Sequence, residues 1–251
     1  MLFIRVFPRP SGGGTHKTPR QEGVGCEKQK GEGNMRKAVI FDFDYTLGDS
    51  TNGIAESIWY ALERLGFSRP PLEAIKKTIG LSLPEAFFTL TADGSAQKAE
   101  QFVKLFHEKG DEVIVESTQL YPYVRDQIAA LRASGYKTAI VTTKGHAVIE
   151  GIVHKFGQSS QFDAIVGGDD VKKTKPDPEG LLLAVSALGV AKEEALYVGD
   201  SLVDAKTAVN AGVPFAAVLT GTTTREDFAP YPRVYTGETI ADIFQYILSG
   251  E

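Results

Sequence analysis

At 251 residues, 42% hydrophobic and 24% charged, the chain has the composition of a folded globular protein with room for one large domain or a core with a smaller companion. Its one cysteine, Cys26, excludes an intramolecular disulfide and a cysteine-built metal site, and no apolar run approaches the length of a membrane span. A net charge of -5 gives no electrostatic reason for a nucleic-acid partner, and MLFIRVF is too short for a signal sequence, so the cytoplasm is the expected compartment, with neither nucleic acid nor membrane as partner.

Residues 1 to 34 are rich in Gly, Pro and charge and lack periodicity, which predicts a disordered N-terminal extension. Met35-Arg36-Lys37, directly before the first strand signal, reads as the biological start. The segment KAVIFDFDYTL then runs from apolar residues into Asp42 and Asp44. Side chains in a strand alternate faces, so these two carboxylates project together at the strand's carboxyl end, where open α/β sheets bind ligands. They repel unless a cation sits between them or one takes a proton, and oxygen ligands suit a hard ion such as Mg2+.

Residues 48–52 supply turn formers and N-caps, and Ile54, Ile58, Leu62 and Leu65 follow at helical spacing, so a helix begins near 53. Pro70-Pro71 ends it, Gly80 and Pro84 punctuate two short helical stretches, and a helix over 96–108 carries Phe102, Leu105 and Phe106 on one stripe. Residues 53–120 are therefore expected to be all helical, with Trp59, Phe87, Phe88, Phe102 and Phe106 as their own core. His16 falls in the extension, and His107, His146 and His154 on predicted helices are expected to be solvated or packed.

From Tyr121 the rhythm changes to helices over 124–134, 146–156, 178–188, 203–211 and 240–248, separated by strands over 137–142, 162–166, 195–198 and 214–219 and one near Val234. Alternation of this kind argues for a doubly wound, Rossmann-like parallel sheet in an α/β core made of residues 35–52 and 121–251. The strand at 37–43 is needed at its centre, so 53–120 reads as an inserted helical cap domain.

Three later strand ends turn polar where their apolar runs stop. They are Thr142-Thr143-Lys144, the segment after Val166 that runs to Lys175-Pro176-Asp177-Pro178, and Gly199-Asp200-Ser201 with Asp204 one turn on. A doubly wound sheet brings all of these to one edge beside Asp42 and Asp44. Four carboxylates facing a lysine and a hydroxyl call for a divalent cation, and the ensemble makes a receptacle for a phosphoryl group.

These motifs resemble those of the haloacid dehalogenase superfamily, in its phosphoglycolate-phosphatase-like branch with a helical cap, over about residues 36 to 251. The resemblance implies a Mg2+-dependent phosphatase of small phosphomonoesters, with phosphoglycolate the lead substrate. It implies Asp42 as the nucleophile that forms an aspartyl-phosphate and Asp44 as general acid and then base. Thr46, Thr142, Thr143, Lys144 and Lys175 would surround the phosphoryl group. The metal site would draw on Asp42, the carbonyl of Asp44, Asp200 and Asp204. The chain departs from the family where Tyr45 stands for a common glycine and Thr143 for a common asparagine.

A helical cap excludes bulk water and restricts substrates, so the expected partner is a small phosphorylated metabolite, and the protein a monomer or weak homodimer. Lys77 and Ser82, in the loop around Gly80, are the expected readers of the leaving group. Two alternatives stay open: a β-phosphoglucomutase-like transfer to a second hydroxyl, and a catalytically silent binding protein on the same scaffold.

Overall fold

The computed structural model describes residues 36–250; the predicted extension, the Met35 start and Cys26 lie outside the described residues. In chain order, β1 (Ala38–Phe41) and the short β2 (Gly48–Asp49) precede four helices, α1 (Thr51–Arg64), α2 (Leu72–Lys76), α3 (Leu83–Thr91) and α4 (Ala96–Ser117). The chain continues through β3 (Gln119–Leu120), α5 (Val124–Ala133), β4 (Lys137–Val141), α6 (His146–Lys155), β5 (Ala164–Val166) and α7 (Glu179–Leu188). It closes with β6 (Ala195–Gly199), α8 (Leu202–Ala211), β7 (Phe215–Val218), β8 (Tyr235–Gly237) and α9 (Ile240–Ser249). Among the described residues no helix is long and apolar enough to cross a membrane.

The main sheet has the order β5-β4-β1-β6-β7-β8, every neighbouring pair parallel, which is the expected α/β, Rossmann-like arrangement with β1 between β4 and β6. Parallel strands covered on both faces are apolar at every position, and β1 shows why. Val39 and Phe41 join one apolar cluster with Ile128 of α5, Ile149 of α6 and Phe244 of α9. Ala38 and Ile40 join another, with Leu181 of α7 and Ala205 of α8. The two clusters bury alternate residues of the same strand, and the strand end at Asp42 is fixed from both sides. Asp42 N–H continues the ladder by donating to Val198 O at 2.8 Å.

Three boundaries differ from expectation. Residues 53–120 are not purely helical: β2 and β3 pair antiparallel, tying the start of the helical segment to its end. A strand of two residues has no periodicity to read, but Gly48 marks it, since a Cβ there would lie 2.6 Å from Gln119 O. The helix beginning near 53 starts at Thr51, and α4 runs on past Glu108 to Ser117 because Gly110 is a packing position rather than a break. A Cβ on Gly110 would sit 2.9 Å from Ser57 Oγ of α1. The C-terminus of α4 is held by Lys155 of α6, whose ammonium donates to the carbonyls of Val115 at 3.1 Å, Thr118 and Glu116. A cation at a helix C-terminus is favoured by the dipole as well as by the orphan carbonyls.

Gly53 makes the tightest α1 to α4 approach: a Cβ there would collide with Ser117 Oγ and lie 2.8 Å from Ile114 Cα. Alanine is favoured over glycine in a helix by about 1 kcal/mol, while overpacking against backbone costs about 1 to 3 kcal/mol. Gly53→Ala is therefore expected to lower stability by about 1 kcal/mol in urea unfolding. A more stable variant would show that the two helices separate freely.

Candidate active site

Asp42 follows the last residue of β1, and Lys175 reaches it from the loop after β5. The Lys175 ammonium donates to Asp42 Oδ1 at 2.7 Å, to Asp204 Oδ1 at 2.7 Å and to the Tyr197 hydroxyl at 3.3 Å. All three of its protons are used, and its side chain is only 4% exposed. Tyr197, fully buried in β6, donates its own proton to Asp204 Oδ1 at 2.7 Å. The other Asp204 oxygen accepts from Ser201 N at 3.2 Å and Ser201 Oγ at 2.5 Å, closing the capping box of α8. Asp204 is thus saturated with donors before any further ligand is considered.

Asp42, Asp200 and Asp204 bring carboxylate oxygens within 4.8 Å of one another, all three side chains buried. Burial, with the charge of Asp204 behind it, pushes the Asp42 carboxyl up to about 7 against the pull of Lys175. The same two causes raise Asp200 well above the usual carboxylate range. Burial opposes the charge on Lys175, yet the Asp204 and Asp42 carboxylates outweigh it and hold the ammonium above its ordinary value. Tyr197, buried beside Asp204, is raised well above a free phenol and keeps its proton.

The Asp44 carboxylate stands apart from this cluster. Its Oδ2 pairs with Lys144 at 2.7 Å, both side chains 7% exposed, and its Oδ1 is buried without a protein partner. The Asp44 side chain is not among the three that gather within 4.8 Å. Four buried carboxyl groups face two ammoniums, Lys175 and Lys144, so all four can be ionised together only if a further cation balances two of them. An all-oxygen, buried, under-neutralised donor set fits a hard divalent cation, with Asp42 and Asp200 the residues to present oxygen to it.

Between Asp44 and β2 the backbone turns through Tyr45 at φ 57, the left-handed region that favours glycine. Non-glycine residues pay about 1 to 2 kcal/mol there. Tyr45 is held by its hydroxyl against Thr51 Oγ1 at 2.8 Å and by the Thr220 hydroxyl, which donates to its carbonyl. Burial pushes the phenol to about 12, so it stays neutral. The strand-end loop after β7 also approaches Asp200: a Cβ on Gly221 would overlap Asp200 Oδ2 and lie 2.8 Å from its Cγ.

The structure gathers most of the predicted residues but not all. Thr142 is buried, its hydroxyl accepting from Lys144 N at 3.3 Å, and the Thr46 hydroxyl lies 3.5 Å from Asp200 Oδ1. Thr143, Lys144 and Asp44 line a cavity of about 340 Å³ whose opposite wall comes from α1, α4 and the loop around Gly80. Ser82 is on that wall, but its hydroxyl donates to Glu85 Oε2 at 2.6 Å as the N-cap of α3. Lys77 is not on it; it caps α2 with its side chain exposed. The cavity instead receives His107 and Asp111 of α4, with Nδ1 and Oδ1 3.0 Å apart. His146 is neither solvated nor merely packed: its Nδ1 lies 2.5 Å from Asp170 Oδ2, and its N–H donates to Asp169 Oδ1 at 2.7 Å, pinning the loop after β5 to the loop after β4.

The sequence profile of the haloacid dehalogenase-like hydrolases matches residues 39–218. A phosphoglycolate phosphatase of Salmonella typhi is 34% identical over 206 residues, covering 74% of this chain and 82% of its own. Pyrophosphatase PpaX of Bacillus velezensis is 32% identical over 206 residues, covering 82% and 94%. A solved haloacid dehalogenase-like hydrolase from Bacteroides fragilis superposes with a TM-score of 0.80 at 38% identity, over 83% of this chain and 99% of that one.

Proposed function

Because this chain belongs to the haloacid dehalogenase-like hydrolase family, we propose that it is a phosphoric monoester hydrolase working through a phosphorylated Asp42. The observation that carries the reading is the buried Asp42, Asp200 and Asp204 cluster around Lys175, at the strand ends beside a cavity lined by Asp44. A divalent cation such as Mg2+, held by Asp42 and Asp200 and the Asp44 carbonyl, supplies the counter-charge that lets anions meet there. Asp42 attacks phosphorus through a carboxylate oxygen, and the bond from phosphorus to the leaving oxygen breaks. Asp44 gives that oxygen a proton from its unpartnered Oδ1, while Lys144 fixes the carboxyl through Oδ2. Water then attacks the phosphoryl group, Asp44 takes its proton back, and inorganic phosphate leaves with Asp42 restored. Lys175 compensates charge on Asp42 throughout, and the Thr142 hydroxyl, with Thr46, Thr143 and Lys144 about it, offers donors to the phosphoryl oxygens.

The helical segment α1 to α4 acts as a lid, since the cavity takes its walls from both it and the sheet edge. The names of the relatives make phosphoglycolate and pyrophosphate the first compounds to assay. The test is phosphate release from a panel of these, sugar phosphates, nucleoside monophosphates and simple alkyl phosphates, with and without Mg2+. No release from any of them refutes the proposal.

Tyr197→Phe tests the proton network separately from the nucleophile. The ring still fills β6, but Asp204 loses a donor and Lys175 an acceptor. A hydrogen bond to a charged group contributes about 1.5 to 3 kcal/mol, so the variant is expected to unfold several degrees lower. With Lys175 less firmly placed, kcat falls about tenfold at unchanged KM. Wild-type kcat would remove Tyr197 from the positioning of Lys175.

A further inference from the structure

The wall of the cavity opposite Asp44 and Lys144 is built of Ile54, Ile58, Ile79, Leu81 and Phe106, and Val148 of α6 adjoins it. Among the described residues, the basic side chains lining the cavity are Lys144, paired with Asp44, and His107, paired with Asp111. Asp169 adds a further carboxylate. On the helical side the hydroxyls are already engaged: Ser82 donates to Glu85, and Thr78 to Ile75 O at 2.7 Å. A second anionic group on the substrate would leave water for an apolar wall, meet carboxylates, and find among the described residues no lysine or arginine on the helical side to pair with it. An aliphatic body would instead be buried at a gain of roughly 0.8 kcal/mol, about fourfold in affinity, per methylene. At about 340 Å³ the cavity has room for far more than a two-carbon acid.

We propose that the substrate is a phosphomonoester of a neutral, largely apolar alcohol, not one carrying a second anion such as a carboxylate or phosphate. This rests on the phosphatase reading above and deepens it. It separates the chain from the relatives named for phosphoglycolate and pyrophosphate, whose substrates both carry that second anion. The same phosphoryl site serves in both cases, because Asp42, Lys175 and Asp200 see only the transferred group. Choice is left to the wall.

The test compares kcat/KM for phosphoglycolate with that for isobutyl phosphate, its near-isostere without the charge, and for a straight-chain series from methyl to hexyl phosphate. Glycolate is the better leaving group, so chemistry alone favours phosphoglycolate. The expected result is at least a tenfold preference for isobutyl phosphate and a rise of about threefold to fourfold per methylene until the cavity is filled. Ile79→Lys, which sets an ammonium on the wall, is expected to swing the ratio at least tenfold toward phosphoglycolate. Preference for phosphoglycolate in the wild type, or an unchanged ratio in the variant, overturns the assignment. If no ester at all releases phosphate, the phosphatase reading falls and this one with it.

Discussion

Asp42→Asn is expected to lose phosphate release by on the order of 10⁴-fold or more, with no loss of fold. The amide is nearly isosteric with the carboxylate, and its oxygen can still accept from Lys175, so the buried ammonium keeps a partner at the position Asp42 Oδ1 holds. What it lacks is an anionic oxygen able to bond phosphorus. Stability should hold or rise, because the substitution removes a charge from a cluster that already carries more negative than positive groups. Acid quenching of wild type during turnover of radiolabelled substrate should leave label on the protein, and the variant should carry none. Turnover within tenfold of wild type, or label on the variant, would remove Asp42 as the nucleophile.

What the sequence disclosed about this site, and what it hid, follows from where each residue lies. Asp42, Asp44, Thr142 and Asp200 stand where an apolar run stops, and a parallel sheet buried on both faces forces such runs, so their shared edge was legible; Lys175, in the loop after β5, was placed by its order in the chain. Tyr197 was not, because it sits within the run of β6 and reads as core until its hydroxyl is found on Asp204. Lys144 was expected at the phosphoryl group, yet its salt bridge to Asp44 is a contact between two loops that no periodicity encodes. Gly221 carried no signal beyond being a glycine after a strand, although Asp200 leaves no space for a side chain there.

The helical segment was read less well for a related reason. Lys77 looked suited to an anion because it neighbours Gly80 in a polar loop, but α2 carries it outward. His107 was expected to be solvated or packed on a helix over 96–108, so Asp111 and Ile114 were not placed beside it. Once α4 is continuous, Val103, Phe106, His107, Asp111 and Ile114 fall on one stripe at spacings of three and four, and that stripe faces the cavity. The pattern was present in the sequence; the mistaken helix end concealed it.

Removing the divalent cation should silence the enzyme more than about a hundredfold and should also change how stability depends on pH. Burial and the charge of Asp204 set the folded Asp42 carboxyl at about 7 against 3.8 for the free group, and they raise Asp200 as well. Between those two pH values the folded, metal-free protein binds more protons than the unfolded chain. The contribution of these groups to the slope of unfolding free energy with pH is then negative: the stability they contribute is fully present below about pH 4 and is lost as pH rises through the folded value near 7. Above pH 7 a cation takes over the neutralising part that protons play in acid. A ligand at a hundred times its Kd stabilises by about 2.7 kcal/mol, so in chelator at about pH 7.5 the melting temperature should drop by several degrees and Mg2+ should restore it together with turnover. At about pH 5 protons compete for the same oxygens, and Mg2+ should raise the melting temperature far less. Ca2+, with looser coordination, should recover the melting temperature better than the turnover. Equal melting temperatures with and without Mg2+ across this range, together with full activity in chelator, would show that the Asp42 and Asp200 carboxylates hold no cation.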